Sequence, residues 1–269
     1  MTASNDPGDV LALAERLARE AGAIQRERYE TDLRVRTKGS TIDLVTEVDE
    51  QCEALIVAEI ERLRPADSIL AEEGGGRVDD SADWCWLIDP LDGTTNYAHG
   101  YPRFCVSIGV EYQGARTAAV IYDPLLDECF SATRGGGATL NGRTLCVSTE
   151  DRMEYALAAT GFAYDVHKSP QDNLANFARM IKATRAVRRD GSAALDLCYV
   201  AAGRFDAFWE FKLHAWDIAA GILIVEEAGG RCTDTNGNPP PRTGEETIAS
   251  NGHLHDAILE LLENQGQRS

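Results

Sequence analysis

The chain lacks several features that would settle its class at once. Its seven cysteines, at positions 52, 85, 105, 129, 146, 198 and 232, are odd in number and hold no CxxC pair, which disfavours both a disulfide framework and a zinc site. Most lie in apolar runs, where a reduced thiol behaves as a small hydrophobe, so a cytoplasmic setting is expected. No apolar stretch reaches the length of a membrane span, and Met1 to Val10 lacks the basic-then-apolar pattern of a signal peptide. Basic residues are scarce: 26 Lys+Arg stand against 44 Asp+Glu, a formal net charge of −18. That balance disfavours nucleic acid as a general partner and favours cations near clefts. There is no repeat and no low-complexity tract. Gly74-Gly75-Gly76 and Gly135-Gly136-Gly137 lack the Lys-Ser/Thr of a phosphate-binding P-loop, and no Ser-His-Asp or Cys-His pattern has local support. His253 and His255, two apart near the end, are read as exposed.

What is present is acid in a particular place. The apolar run Trp84-Cys85-Trp86-Leu87-Ile88 reads as a buried strand that ends in Asp89 and is stopped by Pro90; Asp92 follows, then Gly93-Thr94-Thr95-Asn96. Two carboxylates this close repel unless something positive lies between them, and Mg²⁺ is commonly held by one or two carboxylates together with substrate phosphate. A Gly and two hydroxyls suit a tight phosphate-facing turn. The local reading is a metal-dependent phosphate site at a strand end.

Around it, apolar periodicity predicts a helix over Val10–Ile24 and a second from a Thr46 cap to Leu63, with Val48, Cys52, Leu55, Ile56 and Leu63 inward and Pro65 ending it. A short strand is expected at Ser68–Ala71, and a hairpin from Phe104–Tyr112 and Ala115–Tyr122 around Gln113-Gly114. Further strands are expected at Glu128–Ala132, near Asn141-Gly142, at Phe205–Trp209 and at Thr247–Ser250. Helices are expected at Asn173–Lys182, Ser192–Ala201, Asp217–Ala228 and Leu254–Leu262. The 269 residues allow one domain, 1–269, with possible subdomains 1–145 and 146–269.

Taken singly, each acidic element has a plain structural reading. Asp-Pro-x-Asp-Gly is a turn, Glu72-Glu73 a solvated loop, Asp217 a helix cap, Glu210 a strand-end charge, and Lys38 in Thr37-Lys38-Gly39-Ser40 a loop residue. Jointly they resemble the inositol monophosphatase family. Asp89-Pro90-Leu91-Asp92-Gly93-Thr94-Thr95-Asn96-Tyr97-Ala98-His99-Gly100 is similar to its first signature. Trp216-Asp217-Ile218-Ala219-Ala220-Gly221, followed by Glu227-Ala228-Gly229-Gly230, is similar to its second. Lys38 with Asp43-Leu44-Val45-Thr46-Glu47-Val48-Asp49, the pair Glu72-Glu73, and Gly191-Ser192-Ala193-Ala194 also match, so the resemblance runs from about Leu11 to the C-terminus.

The resemblance implies an α+β fold, a layered αβαβα sandwich with mixed sheets and metals between the two halves. It implies Mg²⁺ as cofactor. Glu72, Asp89 and the Leu91 carbonyl would hold a first ion, and Asp89, Asp92 and Asp217 a second, with Glu72 also touching a weaker third. Asp49 and Thr94, with Glu72, would orient the attacking water; Lys38 is carried over as a substrate-side residue, and Gly93 and Thr94 would face phosphate oxygens. Asp92, Asp217, Gly191, Ser192, Ala193 and Glu210 would line the pocket for the alcohol. The implied activity is hydrolysis of a small phosphorylated polyol, foremost myo-inositol 1-phosphate, by a lithium-sensitive homodimer. Fructose-1,6-bisphosphate, 3′-phosphoadenosine-5′-phosphate and histidinol phosphate are rival substrates within the family. A regulatory role in binding the transcription machinery is the rival of another class, because Arg188-Arg189-Asp190 before Gly191-Ser192-Ala193-Ala194-Leu195-Asp196-Leu197 resembles a bacterial branch with that property.

Overall fold

The computed structural model describes residues 6–38 and 44–262; Asp43 of the Lys38–Asp49 motif lies outside them, as do Gly39 and Ser40. In chain order the first half gives α1 (Pro7–Arg28), β1 (Val35–Thr37), β2 (Leu44–Thr46), α2 (Glu47–Leu63), β3 (Ser68–Ala71), β4 (Trp84–Asp92), α3 (Thr94–Ala98), β5 (Cys105–Tyr112), β6 (Ala115–Asp123), β7 (Glu128–Thr133), β8 (Gly137–Leu140) and β9 (Arg143–Thr144). The second half gives β10 (Leu157–Thr160), α4 (Leu174–Ala183), β11 (Ala186–Arg188), α5 (Ala193–Ala201), β12 (Ala207–Phe211), α6 (Ala215–Glu227), β13 (Arg231–Thr233), β14 (Glu246–Ser250) and α7 (His255–Leu262).

Among the described residues, β3 to β9 form one seven-stranded sheet in sequence order, with β3 and β4 parallel and the rest antiparallel. The strands β11-β10-β12-β14-β13 form a five-stranded mixed sheet, and β1 and β2 pair separately. Apolar faces set the layering. Val10, Ala14, Leu17 and Ala21 of α1 and Val48, Cys52, Ile56 and Ile60 of α2 bury against one face of the larger sheet. The almost wholly apolar α5 and α6 lie between the sheets, buried on both sides. Ile258, Leu259 and Leu262 of α7 and Met180 of α4 close the outer face of the smaller sheet around Trp209 and Ile248. The result is the αβαβα sandwich with mixed sheets that the resemblance implied.

Several local expectations differ. Helix α1 starts at Pro7, because Asp6 caps it by accepting from the Gly8 N–H at 2.7 Å and Pro7 needs no donor there. Leu63, expected inward, ends α2 and is exposed. Strand β4 does not stop at Pro90 but runs to Asp92. Its pairing with β5 shifts register between Asp89 and Asp92, so Pro90 falls in a bulge where no ladder N–H is required. Helix α6 begins at Ala215, two residues before Asp217, while Glu210 lies near the end of β12, as read. His255, expected at the surface, is fully buried. No described helix is long and apolar enough to cross a membrane.

Candidate active site

A cleft of about 470 Å³ opens where β4, the turn after it, and the starts of α5 and α6 meet. It is lined by Lys38, Glu72, Asp89, Leu91, Asp92, Gly93, Thr94, Gly191, Ser192, Ala193, Glu210 and Asp217. Of the residues expected at the site, Asp49 alone lies behind the wall, one hydrogen bond from it.

Each side chain is held by a local cause. The bulge in β4 turns Asp89 back so that its Oδ1 accepts from the Leu91 N–H at 2.9 Å. Gly93 follows with φ 97°, a left-handed conformation, and a Cβ there would come 2.7 Å from the Arg103 carbonyl oxygen, so only glycine serves. Thr94 then opens α3, and its hydroxyl lies 2.8 Å from Asp49 Oδ1 and 3.0 Å from the Leu91 carbonyl. Asp49 is buried at the third position of α2; its Oδ2 accepts from the Thr46 N–H at 2.9 Å and from the Thr46 hydroxyl. Burial pushes its pKa up to about 6, against the lowering effect of those hydrogen bonds.

Asp92 reaches across to α5. Its Oδ2 accepts from the Ser192 hydroxyl at 2.5 Å and the Ala194 N–H at 2.9 Å, so a strand carboxylate satisfies donors in the first turn of a helix. Asp217 turns one oxygen to the His214 N–H, at 2.6 Å. Glu72, just beyond β3, receives Lys38 Nζ at 2.7 Å, and the same ammonium lies 2.5 Å from Glu73. The Glu210 carboxylate, also in the cleft wall, lies against Gly161, where a Cβ would fall 2.1 Å from its Oε1. Burial pushes Glu210 up to about 8, with Arg189 opposing and Asp92 adding to the rise.

Among the described residues no three His, Cys, Asp or Glu side chains stand close enough to enclose an ion as they are placed. The chemistry of the donors nevertheless fits a hard cation. Glu72, Asp89, Asp92 and Asp217 offer only oxygen. Burial and then mutual repulsion push Asp89 well above the ordinary carboxylate range; Asp217 is raised by burial and by Asp92 and Glu72, and Asp92 rises to about 6, chiefly through burial. Buried negative charge of this density calls for positive charge, which Lys38 supplies only at Glu72.

Other cleft residues escaped sequence reasoning. Arg189, noted only for the bacterial-branch resemblance of its run, lines the cleft although its side chain is exposed. Lys212, His214 and Trp216 line the rim of the cleft, with the His214 and Trp216 rings stacked at 4.9 Å. Asp196, inside an apolar helix, reaches the cleft floor. The run Arg188-Arg189-Asp190-Gly191 and the acid in an otherwise apolar α5 were the available signals for Arg189 and Asp196; the rim residues carried none.

The sequence model of the Inositol monophosphatase family matches residues 6–267. An inositol-1-monophosphatase of Synechocystis sp. is 46% identical over 85% of this chain and 79% of the relative. The Nus factor SuhB of Pseudomonas aeruginosa is 44% identical over 94% of this chain and 96% of its own. The solved inositol monophosphatase of Anabaena superposes with a TM-score of 0.86 at 41% identity, covering 94% of this chain and 95% of that one.

Proposed function

The chain belongs to the inositol monophosphatase family, and from that premise we propose that it is a Mg²⁺-dependent phosphatase that hydrolyses a small phosphorylated polyol, myo-inositol 1-phosphate foremost, to the alcohol and orthophosphate. The observation that carries the reading is one cleft that joins four carboxylates and the Gly93–Thr94 turn to Glu210 and the Gly191–Ala193 turn, the two groups meeting at the Asp92–Ser192 hydrogen bond.

On this reading Glu72, Asp89 and the Leu91 carbonyl would hold one ion, and Asp89, Asp92 and Asp217 another. Mg²⁺ bound there would supply Lewis acidity and charge neutralisation. The backbone N–H groups of Gly93 and Thr94 fix the phosphate. A water placed beside Thr94 donates to its hydroxyl, which passes the interaction to Asp49, 2.8 Å away. As the water oxygen bonds to phosphorus and the ester P–O bond breaks, the water's proton passes through the Thr94 hydroxyl toward Asp49, whose raised pKa suits a base at neutral pH, and the departing alkoxide takes a proton from solvent water to leave as the alcohol. Glu210 and the Gly191–Ala193 turn take the hydroxyls of the alcohol.

Phosphate release from inositol 1-phosphate with Mg²⁺, compared with fructose 1,6-bisphosphate, 3′-phosphoadenosine 5′-phosphate and histidinol phosphate, tests the substrate. Full activity in excess chelator would remove the metal from the reading. Inhibition by millimolar lithium, deepening as substrate rises, is expected if the monovalent ion enters the Asp89–Asp92–Asp217 position after turnover; relief by saturating substrate would place it elsewhere.

A second reading has its own observation. Relatives named Nus factor SuhB are 44% and 42% identical over nearly the whole chain, and Arg188 and Arg189 are exposed beside the cleft. A role in binding transcription proteins would survive in an Asp92→Asn protein that retains its fold; loss of partner capture together with activity would tie the two.

A further inference from the structure

Two ionisable side chains at the cleft floor have unused hydrogen-bonding capacity. Arg103 precedes β5, and its carbonyl backs the phosphate turn: it accepts from Asn96 Nδ2 at 2.8 Å and leaves no room for a Cβ at Gly93. Its guanidinium lies 4.5 Å over the ring of Tyr199 on α5, and Nη1 donates to the Tyr199 hydroxyl at 2.8 Å. The remaining nitrogens, Nε and Nη2, are buried without partners. Three residues before Tyr199, on the same face of α5, is Asp196, which is 1% exposed and lines the cleft; its Oδ1 is likewise buried and unpartnered.

The unused groups are complementary. Nε and Nη2 make the forked edge of a guanidinium that matches a carboxylate with two parallel hydrogen bonds. Burial, with Asp190 and Glu210 adding, holds the Asp196 carboxyl well above its ordinary range, and Arg103 opposes the rise, so closing the fork would favour the carboxylate. The two residues also belong to the two parts that substrate must bridge. Arg103 is continuous with the phosphate turn, and Asp196 sits one turn into the helix whose start, Gly191 to Ala193, walls the alcohol end.

We propose that Arg103 and Asp196 are a positioning pair: when the cleft is filled, the Nε–Nη2 edge of Arg103 takes the Asp196 carboxylate and sets the first turn of α5 against the phosphate turn. The inference rests on the phosphatase reading above and adds to it a determinant of substrate choice that touches no reacting atom. A small ester that never reaches the α5 wall gains little from the pair; a polyol phosphate that spans both parts gains much.

The test is a double-variant cycle on holoenzyme with Mg²⁺, using inositol 1-phosphate and glycerol 2-phosphate. Asp196→Asn and Arg103→Gln should each lower kcat/KM for inositol 1-phosphate about tenfold, mainly through KM, with less than about threefold loss on glycerol 2-phosphate. The double variant should be no worse than the worse single one. A purely structural role would depress both esters equally and in step with the melting temperature; that result, or additive single losses, overturns the pair. A crystal structure with Mg²⁺, inorganic phosphate and inositol together in the cleft should place Nε and Nη2 about 2.9 Å from the Asp196 oxygens. An open pair there also overturns it. That structure reads the pair whether or not an ester is hydrolysed, whereas a wild type silent on both esters retires the phosphatase reading alone.

Discussion

Asp92 serves a helix and a proposed cation site at once, and the two demands separate on substitution. Its Oδ2 accepts from Ser192 and Ala194 at the start of α5. An asparagine keeps an acceptor there and removes a charge that repels its acidic neighbours. Metal-free Asp92→Asn should therefore melt no lower than metal-free parent, while losing activity by orders of magnitude. Alanine leaves a buried N–H and hydroxyl unsatisfied, at a cost of about 1–3 kcal/mol, and should melt clearly lower than the asparagine variant. Thermal melts of the two variants in chelator decide it; equal melts would mean that the contacts to α5 carry no stability. Glu210 gives a second prediction. With its pKa near 8, the side chain is largely neutral at pH 6 and resembles glutamine; above pH 8 it is a carboxylate. The ratio of kcat/KM on inositol 1-phosphate between parent and Glu210→Gln should be near one at pH 6 and rise about tenfold by pH 9, the scale of one charged hydrogen bond. A gap independent of pH would remove the ionised form from substrate binding. At this scale the acids were legible because their order and spacing form two long signatures. Arg103 and Asp196 were not, because one basic residue before a strand and one acid in an apolar helix carry no pattern until folding juxtaposes them.

Among the elements, legibility followed length. Helices α1 and α2 and the β5–β6 hairpin span enough residues for a period of 3.6 or a turn signal to repeat. Of the four-residue strands, β3 was read and β10 was not; strands β1, β2, β11 and β13 have three residues, fewer than two full alternations, and were not read. That omission explains the misplacement of His255. Its position looks exposed between His253 and Asp256, but β13 and β14 pair beside it, and its ring is enclosed between Ser250 Oγ at Nδ1 and Thr233 Oγ1 at Nε2, both 2.8 Å away. Burial, then the charge of Arg231, lowers its pKa to about 4. The depressed value means the unfolded chain takes up the proton first. The stability His255 contributes is therefore present above about pH 6.5 and is lost as pH falls toward 4. His255→Gln should melt lower than parent at pH 7.5, and the difference should shrink toward pH 4.5. A difference that stays constant with pH would show that the ring titrates alike in both states.

For the whole molecule, the layers bring acids from separate segments to one place: β3 and β4 from the larger sheet, α6 from the middle layer. The sequence alone supplied the elements; their stacking came through the family resemblance, because periodicity shows which face is buried but not what covers it. The stacking has a thermodynamic consequence for the intact chain. Asp89 and Asp217 are raised well above the usual range, and Asp92 to about 6, so without metal the folded state holds these protons more tightly than the unfolded chain does. For Asp92 that stabilisation is full below the unfolded pKa near 4 and is lost as pH rises through about 6; for Asp89 and Asp217 it is lost in the same direction, as pH rises through their raised values. A divalent cation competes with those protons, so its binding strengthens as they leave. Mg²⁺ at about a hundred times its dissociation constant stabilises by about 2.7 kcal/mol, which for a chain of this size is a rise in melting temperature of roughly 5–10 °C. The rise should be near its full value at pH 7.5 and small at pH 5, and Asp217→Asn should reduce it at the higher pH. Calorimetric melts with Mg²⁺ and with chelator at both pH values measure this directly. An equal Mg²⁺ shift at the two pH values would mean that the ion binds groups outside the buried carboxylates, and the assignment of Asp89, Asp92 and Asp217 as its ligands would fall.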